Sequence, residues 1–275
     1  MTYEVATFYK FVPLGDGAVR LRADLLDLCQ QQQLCGTILL APEGINGTLA
    51  GQADRLGRAL DQLKQDPRFA DLQPRCSTAE TAPFDRLKVK LKSEIVSFGQ
   101  PDLSPNQVGT YVSPTAWNQL ITDPEVLVVD TRNQYEVSIG SFAGAINPKT
   151  DRFRDFPAYV EQALDPAQHR KIAMFCTGGI RCEKASAYLR QQGFEQVYHL
   201  QGGILNYLES IPAEQSLWQG ECFVFDGRVA VGNGLAPGSH GMCQACGHPV
   251  SILDQANPRY VPGQSCPHCW VAPGN

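Results

Sequence analysis

Met174-Phe175-Cys176-Thr177-Gly178-Gly179-Ile180-Arg181-Cys182 joins a short apolar run, 171–175, to a helical pattern readable from Ile180 to Gln192. In that pattern Ala185, Tyr188 and Leu189 share one apolar face, and Gly193 supplies a stop. A strand leading straight into a helix is the repeating unit of parallel α/β sheets, whose chemistry sits at the strands' C-terminal ends. Cys176 stands at such an end. The first N–H groups of a helix are unpartnered and carry partial positive charge, so a thiol placed there ionises more readily than free cysteine. Gly178 and Gly179 let successive N–H groups turn inward, and Arg181 adds a permanent positive charge. The stretch therefore predicts a thiolate nucleophile at Cys176, cradled by Thr177, Gly178, Gly179, Ile180 and Arg181. A buried structural cysteine in an ordinary strand-to-helix turn is the competing reading. Two glycines and an arginine within the next five residues weigh against it.

Outward from this loop the alternation continues. Val126–Val129 is an apolar run ending at Asp130, residues 158–164 read as helical, and 197–200 as a strand before Gly202-Gly203 and a helix through Leu208. Ser113-Pro114 has the form of an N-cap followed by proline in the first turn, opening a helix through Trp117 and Leu120. Cysteine, four residues, then arginine resembles the active loop of rhodanese domains; cysteine-dependent phosphatases have one more residue, and so room for a phosphate. Asp130-x-Arg132-x3-Glu136, Gly140 and Gly144-Ala145-Ile146-Asn147 are similar to the first rhodanese signature. A rhodanese-like parallel α/β domain is expected over 114–215. Asp130 and Arg132 are expected to pair or to orient the loop. Cys182 is either a resolving thiol or a small buried hydrophobe.

Residues 1–99 read differently. Val5–Phe11 is a strand, Leu21, Leu25 and Leu28 recur at helical spacing, and Thr37–Ala41 is a strand. Pro42 to Gly47 form a turn before a strand at 48–50, a helix carries Leu56, Leu60 and Leu63, and a strand runs from Arg86 to Leu91. The order βαββαβ is that of a ferredoxin-like α+β domain. On the last strand Arg86, Lys88, Lys90 and Lys92 alternate with Leu87, Val89 and Leu91, which puts four positive charges on one face and predicts the leucines and valine on the core side. Such a row can track a phosphate backbone; it can equally be a solvated, edge-protecting face. Residues 100–113, rich in Pro, Gly, Ser and Asn, are read as a linker.

The tail, 216–275, begins with Cys222–Phe225 and Arg228–Val231 around Asp226-Gly227, a two-residue hairpin signal. Cys243-x2-Cys246 and Cys266-x2-Cys269 follow, separated by nineteen residues. This is the spacing of a structural zinc site, in which four thiolates close a tetrahedron and leave no open position. His248 and His268 lie nearby and could replace a cysteine, but are read as bystanders.

With 43% hydrophobic and 19% charged residues in 275, the chain reads as globular and long enough for more than one domain. Its net charge of -5 conceals an asymmetry: the first hundred residues hold twelve Lys/Arg and twelve Asp/Glu, and the remainder hold eleven against sixteen. A polyanion would be met by the N-terminal part. No basic-then-apolar leader and no membrane-length apolar run is present, so no membrane is expected and the cytoplasm is. In that reducing compartment ten cysteines point to metal and catalysis rather than to disulfides.

Taken together, Cys176-Thr177-Gly178-Gly179-Ile180-Arg181-Cys182-Glu183-Lys184-Ala185, the preceding Ala41-Pro42-Glu43-Gly44-Ile45-Asn46-Gly47 and the paired CxxC tail resemble the oxygen-dependent tRNA uridine hydroxylases over nearly the whole chain. The resemblance implies conversion of the wobble uridine in a tRNA anticodon loop to 5-hydroxyuridine, with molecular oxygen as co-substrate and Cys176 essential. Two routes stay open, addition of the thiolate to uracil C6 or oxidation of the sulfur itself. A rhodanese-type sulfurtransferase working through a Cys176 persulfide fits the same loop, and a non-enzymatic RNA-binding scaffold is the reading from a different class.

Overall fold

The computed structural model describes residues 2–100, 103 and 107–271. In the N-terminal part β1 (Tyr3–Phe11), α1 (Ala18–Gln31), β2 (Cys35–Ala41), β3 (Gly44–Gly51), α2 (Ala53–Lys64), β4 (Arg75–Ala79) and β5 (Leu87–Leu91) follow one another. The strands form one sheet in the order β4-β1-β3-β2-β5. The leucine stripes 21/25/28 and 56/60/63 bring α1 and α2 onto one face of it, against Ala6, Phe8, Ile38, Leu40, Ile45 and Leu49. The opposite face carries no helix of this domain.

The ferredoxin-like order is present, but the strand that completes it is not the basic one. β4, Arg-Cys-Ser-Thr-Ala, pairs antiparallel with β1. It has no apolar run to announce it, because its pairing partner rather than its own pattern selects it. The basic strand β5 is a fifth strand, added parallel to β2 at the far edge. Leu87 and Val89 pack inward as expected. Leu91 does not: it is 43% exposed, near the end of a strand with a neighbour on one side only.

The central part contains β6 (Thr110–Val112), α3 (Pro114–Ile121), β7 (Val126–Asp130), α4 (Gln134–Val137), β8 (Gly140–Phe142), α5 (Phe156–Ala163), β9 (Lys171–Phe175), α6 (Ile180–Gln191), β10 (Gln196–Leu200) and α7 (Gly203–Ser210). Its parallel sheet has the order β6-β10-β9-β7. Along β9, Ala173 and Phe175 face one apolar cluster while Ile172 and Met174 face the other, which is why the strand reads as a continuous apolar run. The Ser113 hydroxyl caps α3 by accepting from the Ala116 N–H at 3.3 Å. Of the segment 100–113 read as a linker, residues 101–102 and 104–106 lie outside the described residues. Thr110–Val112 belongs to the sheet, paired with β10.

Beyond α7, β11 (Trp218–Gly220) pairs with β8, and β12 (Cys222–Phe223) with β13 (Ala230–Val231). The pair β14 (Gly241–Met242) and β15 (Pro249–Val250), with α8 (Ile252–Gln255), carries the paired cysteines. The Asp226-Gly227 signal marks a hairpin, but not a two-residue one. Residues 224–229 join the two strands: the Val224 N–H donates to the Val229 carbonyl at 2.9 Å, the Val229 N–H closes a β-turn on the Asp226 carbonyl at 3.0 Å, and the Asp226 carboxylate also holds the Arg228 guanidinium at 2.6 Å. Arg228 reaches Ser77 on β4 at 2.7 Å and the Gly227 N–H donates to Pro83, so the hairpin tip is bonded to the N-terminal domain.

Helix α6 is the hinge of the architecture. Residues 181–189 are all buried, including Arg181, Glu183 and Lys184. Lys184 lies between Glu43 at 2.9 Å and Glu94 at 2.7 Å, both from the N-terminal domain side, and donates to the Val96 carbonyl. The helix is thus sandwiched between its own sheet and the helix-free side of the N-terminal domain.

Candidate active site

Cys176 sits where β9 ends, with no exposed surface. The loop curls back so that the Gly179 N–H donates to Sγ at 3.1 Å. Gly179 opens α6 at φ +100°, a backbone conformation that glycine adopts without penalty. What turns the N–H groups inward is α7: the N–H groups of Ile204 and Leu205 take the carbonyls of Cys176 and Thr177 at 2.9 and 3.0 Å. Gly203 makes this possible, because a Cβ there would lie 2.5 Å from the Cys176 carbonyl oxygen. Burial opposes ionisation of Cys176, but the Cys182 thiol, the Arg181 guanidinium and the N–H groups of Cys182 and Arg181 outweigh it, bringing the pKa down to about 6. Cys182, also fully buried and near Thr131 Oγ1 at 3.6 Å, is pushed up by burial and by the Cys176 thiolate. One sulfur is set up as the anion and the other as the donor to it.

Arg181 does not point a free charge into the cradle. It makes a two-pronged ion pair with Glu136, at 2.6 and 2.8 Å, and donates to Thr177 Oγ1 at 3.1 Å. Thr177 also donates to Glu136 at 3.2 Å. The cradle is consequently made of backbone N–H groups, with a neutralised pair as its wall. Behind it Arg132 pairs with Asp130 at 2.9 and 2.6 Å, both side chains wholly buried, and donates to the carbonyls of Gly140 at 2.6 Å and Glu136 at 3.4 Å. Its guanidinium lies over the Trp218 ring, 5.0 Å from the centroid. Asp130 and Arg132 thereby hold α4, α4 holds Glu136, and Glu136 holds Arg181.

A cleft of about 630 Å³ opens between β1 and the loop, lined by Tyr9, Arg75, Tyr111, Gly178, Glu183 and Gly202 among others. Glu183 accepts the Tyr9 hydroxyl at 3.0 Å and the Tyr111 hydroxyl at 2.8 and 2.7 Å. Burial raises its pKa, with the Cys176 thiolate adding to the rise and the two phenols opposing it. Tyr9 comes from the N-terminal domain, so the cleft is a joint construction.

Arg86, Lys90 and Lys92 are exposed and Lys88 partly so, and among the described residues none of the four is in an ion pair. The row lies on β5, at the opposite edge of the sheet from β4, beside which the cleft opens. Cys243, Cys246, Cys266 and Cys269 are brought together, all four sulfurs within 4.8 Å of one another. Three of the separations are 4.0, 3.8 and 3.8 Å. Metal–sulfur bonds of about 2.3 Å in a tetrahedron require edges of about 3.8 Å, so the cluster fits a tetrahedral ion. His248 and His268 stack on each other at 3.8 Å and are not among the grouped ligands. No helix among the described residues is long and apolar enough to cross a membrane.

Residues 3–95 match the UPF0176 acylphosphatase-like domain and residues 113–210 the rhodanese-like domain. The chain is 57% identical to a tRNA uridine(34) hydroxylase of Acaryochloris marina, over 96% of this chain and 85% of that one. It is 56% identical to the protein of the same name from a Picosynechococcus species, over 98% and 91%. The chain belongs to the tRNA uridine(34) hydroxylase family. A solved rhodanese-like domain from an Anabaena species overlaps 41% of this chain and 80% of its own, at 19% identity and a TM-score of 0.34.

In this member of the tRNA uridine(34) hydroxylases, the Cys176 loop with Cys182, Asp130 and Arg132 converges on one site, and the basic row and the four-cysteine cluster stand apart from it. Sequence reasoning passed over Tyr9 and Tyr111, and quoted Glu136, Glu183 and Gly203 only as parts of motifs. Glu136 carried a signal, its place in Asp130-x-Arg132-x3-Glu136. The two tyrosines carried none, being isolated residues on strands of different domains.

Proposed function

We propose that this protein hydroxylates the wobble uridine of tRNA to 5-hydroxyuridine, with molecular oxygen as co-substrate and Cys176 as the nucleophile. The observation that carries the reading is 57% identity over 96% of the chain to a tRNA uridine(34) hydroxylase. C5 of uracil is unreactive toward oxygen until a nucleophile adds at C6. The Cys176 thiolate makes that addition, and the electron pair moves through C5 toward O4, where loop N–H groups oppose the developing charge. C5 then takes one oxygen atom, the sulfur leaves C6, and the second oxygen departs as water at the expense of two electrons from a thiol reductant. A base in an anticodon loop is already single-stranded, so leaving its stack costs only a few kcal/mol.

The basic row at Arg86, Lys88, Lys90 and Lys92 is the surface proposed for the RNA backbone. In the tail, zinc is the ion proposed for the four cysteines, since soft thiolates in a tetrahedron suit it. Cys243, Cys246, Cys266 and Cys269 would hold it, and a closed ligand set contributes folding rather than substrate chemistry. All ten cysteines are unpaired, which suits the reducing cytoplasm.

The test is to incubate the full chain with an anticodon stem-loop under isotope-labelled dioxygen and to analyse the nucleosides by mass spectrometry. Label on the target uridine is expected. Sulfur in place of oxygen would make the protein a sulfurtransferase, and an unchanged nucleoside would leave an RNA-binding scaffold.

A further inference from the structure

Glu183 is a buried carboxylate with unused acceptor capacity, facing a cleft that the Cys176 loop also lines. An ionised carboxylate has about four acceptor positions. Two phenol protons reach it, one from Tyr9 and one from Tyr111, the latter shared between both oxygens. Only 7% of the residue is exposed, and it lines the cleft. A buried acceptor left short is costly unless something completes it. The upward pKa shift at Glu183 has the same origin, burial outweighing two hydrogen bonds.

What completes it must enter from the cleft, carry a donor, and lie beside the loop. Gly178 shares the cleft wall with Glu183, and the Tyr9 hydroxyl lies 2.9 Å from where a Cβ on Gly179 would be. Tyr9 therefore stands directly over the residue whose N–H binds the Cys176 sulfur. An occupant lying beside Tyr9 meets both the open side of the carboxylate and the face of the loop. Uracil presents acceptor, donor, acceptor along its pairing edge, and its only donor there is N3–H. Cytosine has an acceptor at N3 and would set a lone pair against the carboxylate.

We propose that Glu183 is the specificity residue that accepts the N3–H of the target uracil at its open acceptor positions, with Tyr111 and Tyr9 as its standing partners. This rests on the hydroxylase reading, in that it supplies the base for the same cleft. Sites built around a hydrogen bond reject analogues that cannot make it far more strongly than sites built on shape alone.

The experiment measures binding of the full chain to three anticodon stem-loops that differ at the target base: uridine, cytidine and N3-methyluridine. The wild type is expected to bind the uridine RNA about tenfold to a hundredfold more tightly than either of the others. Glu183→Gln is expected to bring uridine and cytidine within about threefold, because an amide accepts from one and donates to the other. Glu183→Ala should remove the penalty on N3-methyluridine. Thermal unfolding and alkylation of Cys176 check that the variants are folded; if they are not, the wild type on the three RNAs decides. Equal binding of the three RNAs by the wild type, or unchanged discrimination in folded Glu183→Gln, overturns the assignment. Selection of uridine without any oxygen insertion would instead overturn the reaction while leaving Glu183 as the reader of the base.

Discussion

The two cysteine sites of this chain are assembled in opposite ways. The tail cluster comes from two short loops with local spacing, and its core among the described residues is Cys243, Val250 and Cys266, with Tyr260 and Cys269 packed against it. The Cys176 site draws on β9, α6, α7 and α4, and on β1 of another domain, and it buries charged groups in pairs. A site of the first kind would depend on the ion proposed for it, and one of the second kind depends on its neighbours. The largest expected effect follows from the first half of that contrast. Structural zinc in such sites contributes roughly 10 kcal/mol or more to folding. Removing the proposed zinc with a chelator should unfold 239–271 locally, read as new protease cleavage there, while Cys176 keeps its alkylation rate. Loss of the Cys176 rate in step with the metal would break the contrast.

Cys176→Ser tests the other half. With the thiolate gone, oxygen insertion into the target uridine should fall about a thousandfold or more, equivalent to roughly 4 kcal/mol of barrier, with the fold retained. The wild-type thiol should be alkylated at a rate that is flat above pH 6 and falls about tenfold per unit below it, since its pKa is about 6. A thiol whose pKa is depressed by folding contributes stability fully above its unfolded value of about 8.5 and loses that contribution as the pH falls toward 6. Cys182, shifted upward, acts in the opposite sense: its contribution is complete below about 8.5 and is lost only at higher pH. An alkylation midpoint near the free-cysteine value would mean that the N–H cradle does not hold an anion.

Next in size are the buried pairs. Glu136→Gln leaves Arg181 buried without its counter-charge, and breaking a pair of this kind costs about 3–5 kcal/mol. The same change removes a negative charge near Cys176 and frees a positive one, so the alkylation midpoint should move below 6 even as the melting temperature drops. A merely structural pair would lower stability and leave the midpoint in place. Arg132→Ala should reduce stability and turnover together, because it acts on Cys176 only through α4 and Glu136. A fully folded Arg132→Ala protein with lost turnover would contradict that chain of support.

These contrasts also explain what could be read from the sequence. The cysteine spacing in the tail, the glycines after Cys176 and the leucine stripes of α1 and α2 are local patterns, and each sets its structure through contacts within a few residues. Strands β7, β9 and β10 of the parallel sheet were legible from their apolar runs, whereas β6, exposed at the sheet edge, fell inside the stretch read as a linker. β4 was not legible, since Arg75–Ala79 becomes a strand only by pairing with β1. The burial of Arg181, Glu183 and Lys184 was hidden too. On an isolated helix these residues would face water; the N-terminal domain, through Tyr9, Glu43 and Glu94, takes Glu183 and Lys184 out of it, and Glu136 takes Arg181. Arg181 was read as a free cation because its partner lies forty-five positions away.

The smallest effects should come from the basic row, which belongs to neither kind of site. Lys88 and Lys90 stand on an edge strand, partly or fully exposed and outside any described ion pair, so their removal costs the fold little. Against RNA they act only as charges. Lys88→Ala and Lys90→Ala should each weaken stem-loop binding by a similar factor whatever the target base. Each should also reduce the slope of log affinity against log salt by about 0.7, the value for one contact to a single-stranded phosphate. Glu183→Gln should do the reverse, changing the preference among bases without changing the slope. If the lysine variants alter base preference, the row reaches further toward the cleft than its place on β5 implies; if they leave both slope and affinity unchanged, the row is a solvated edge and the backbone is held elsewhere.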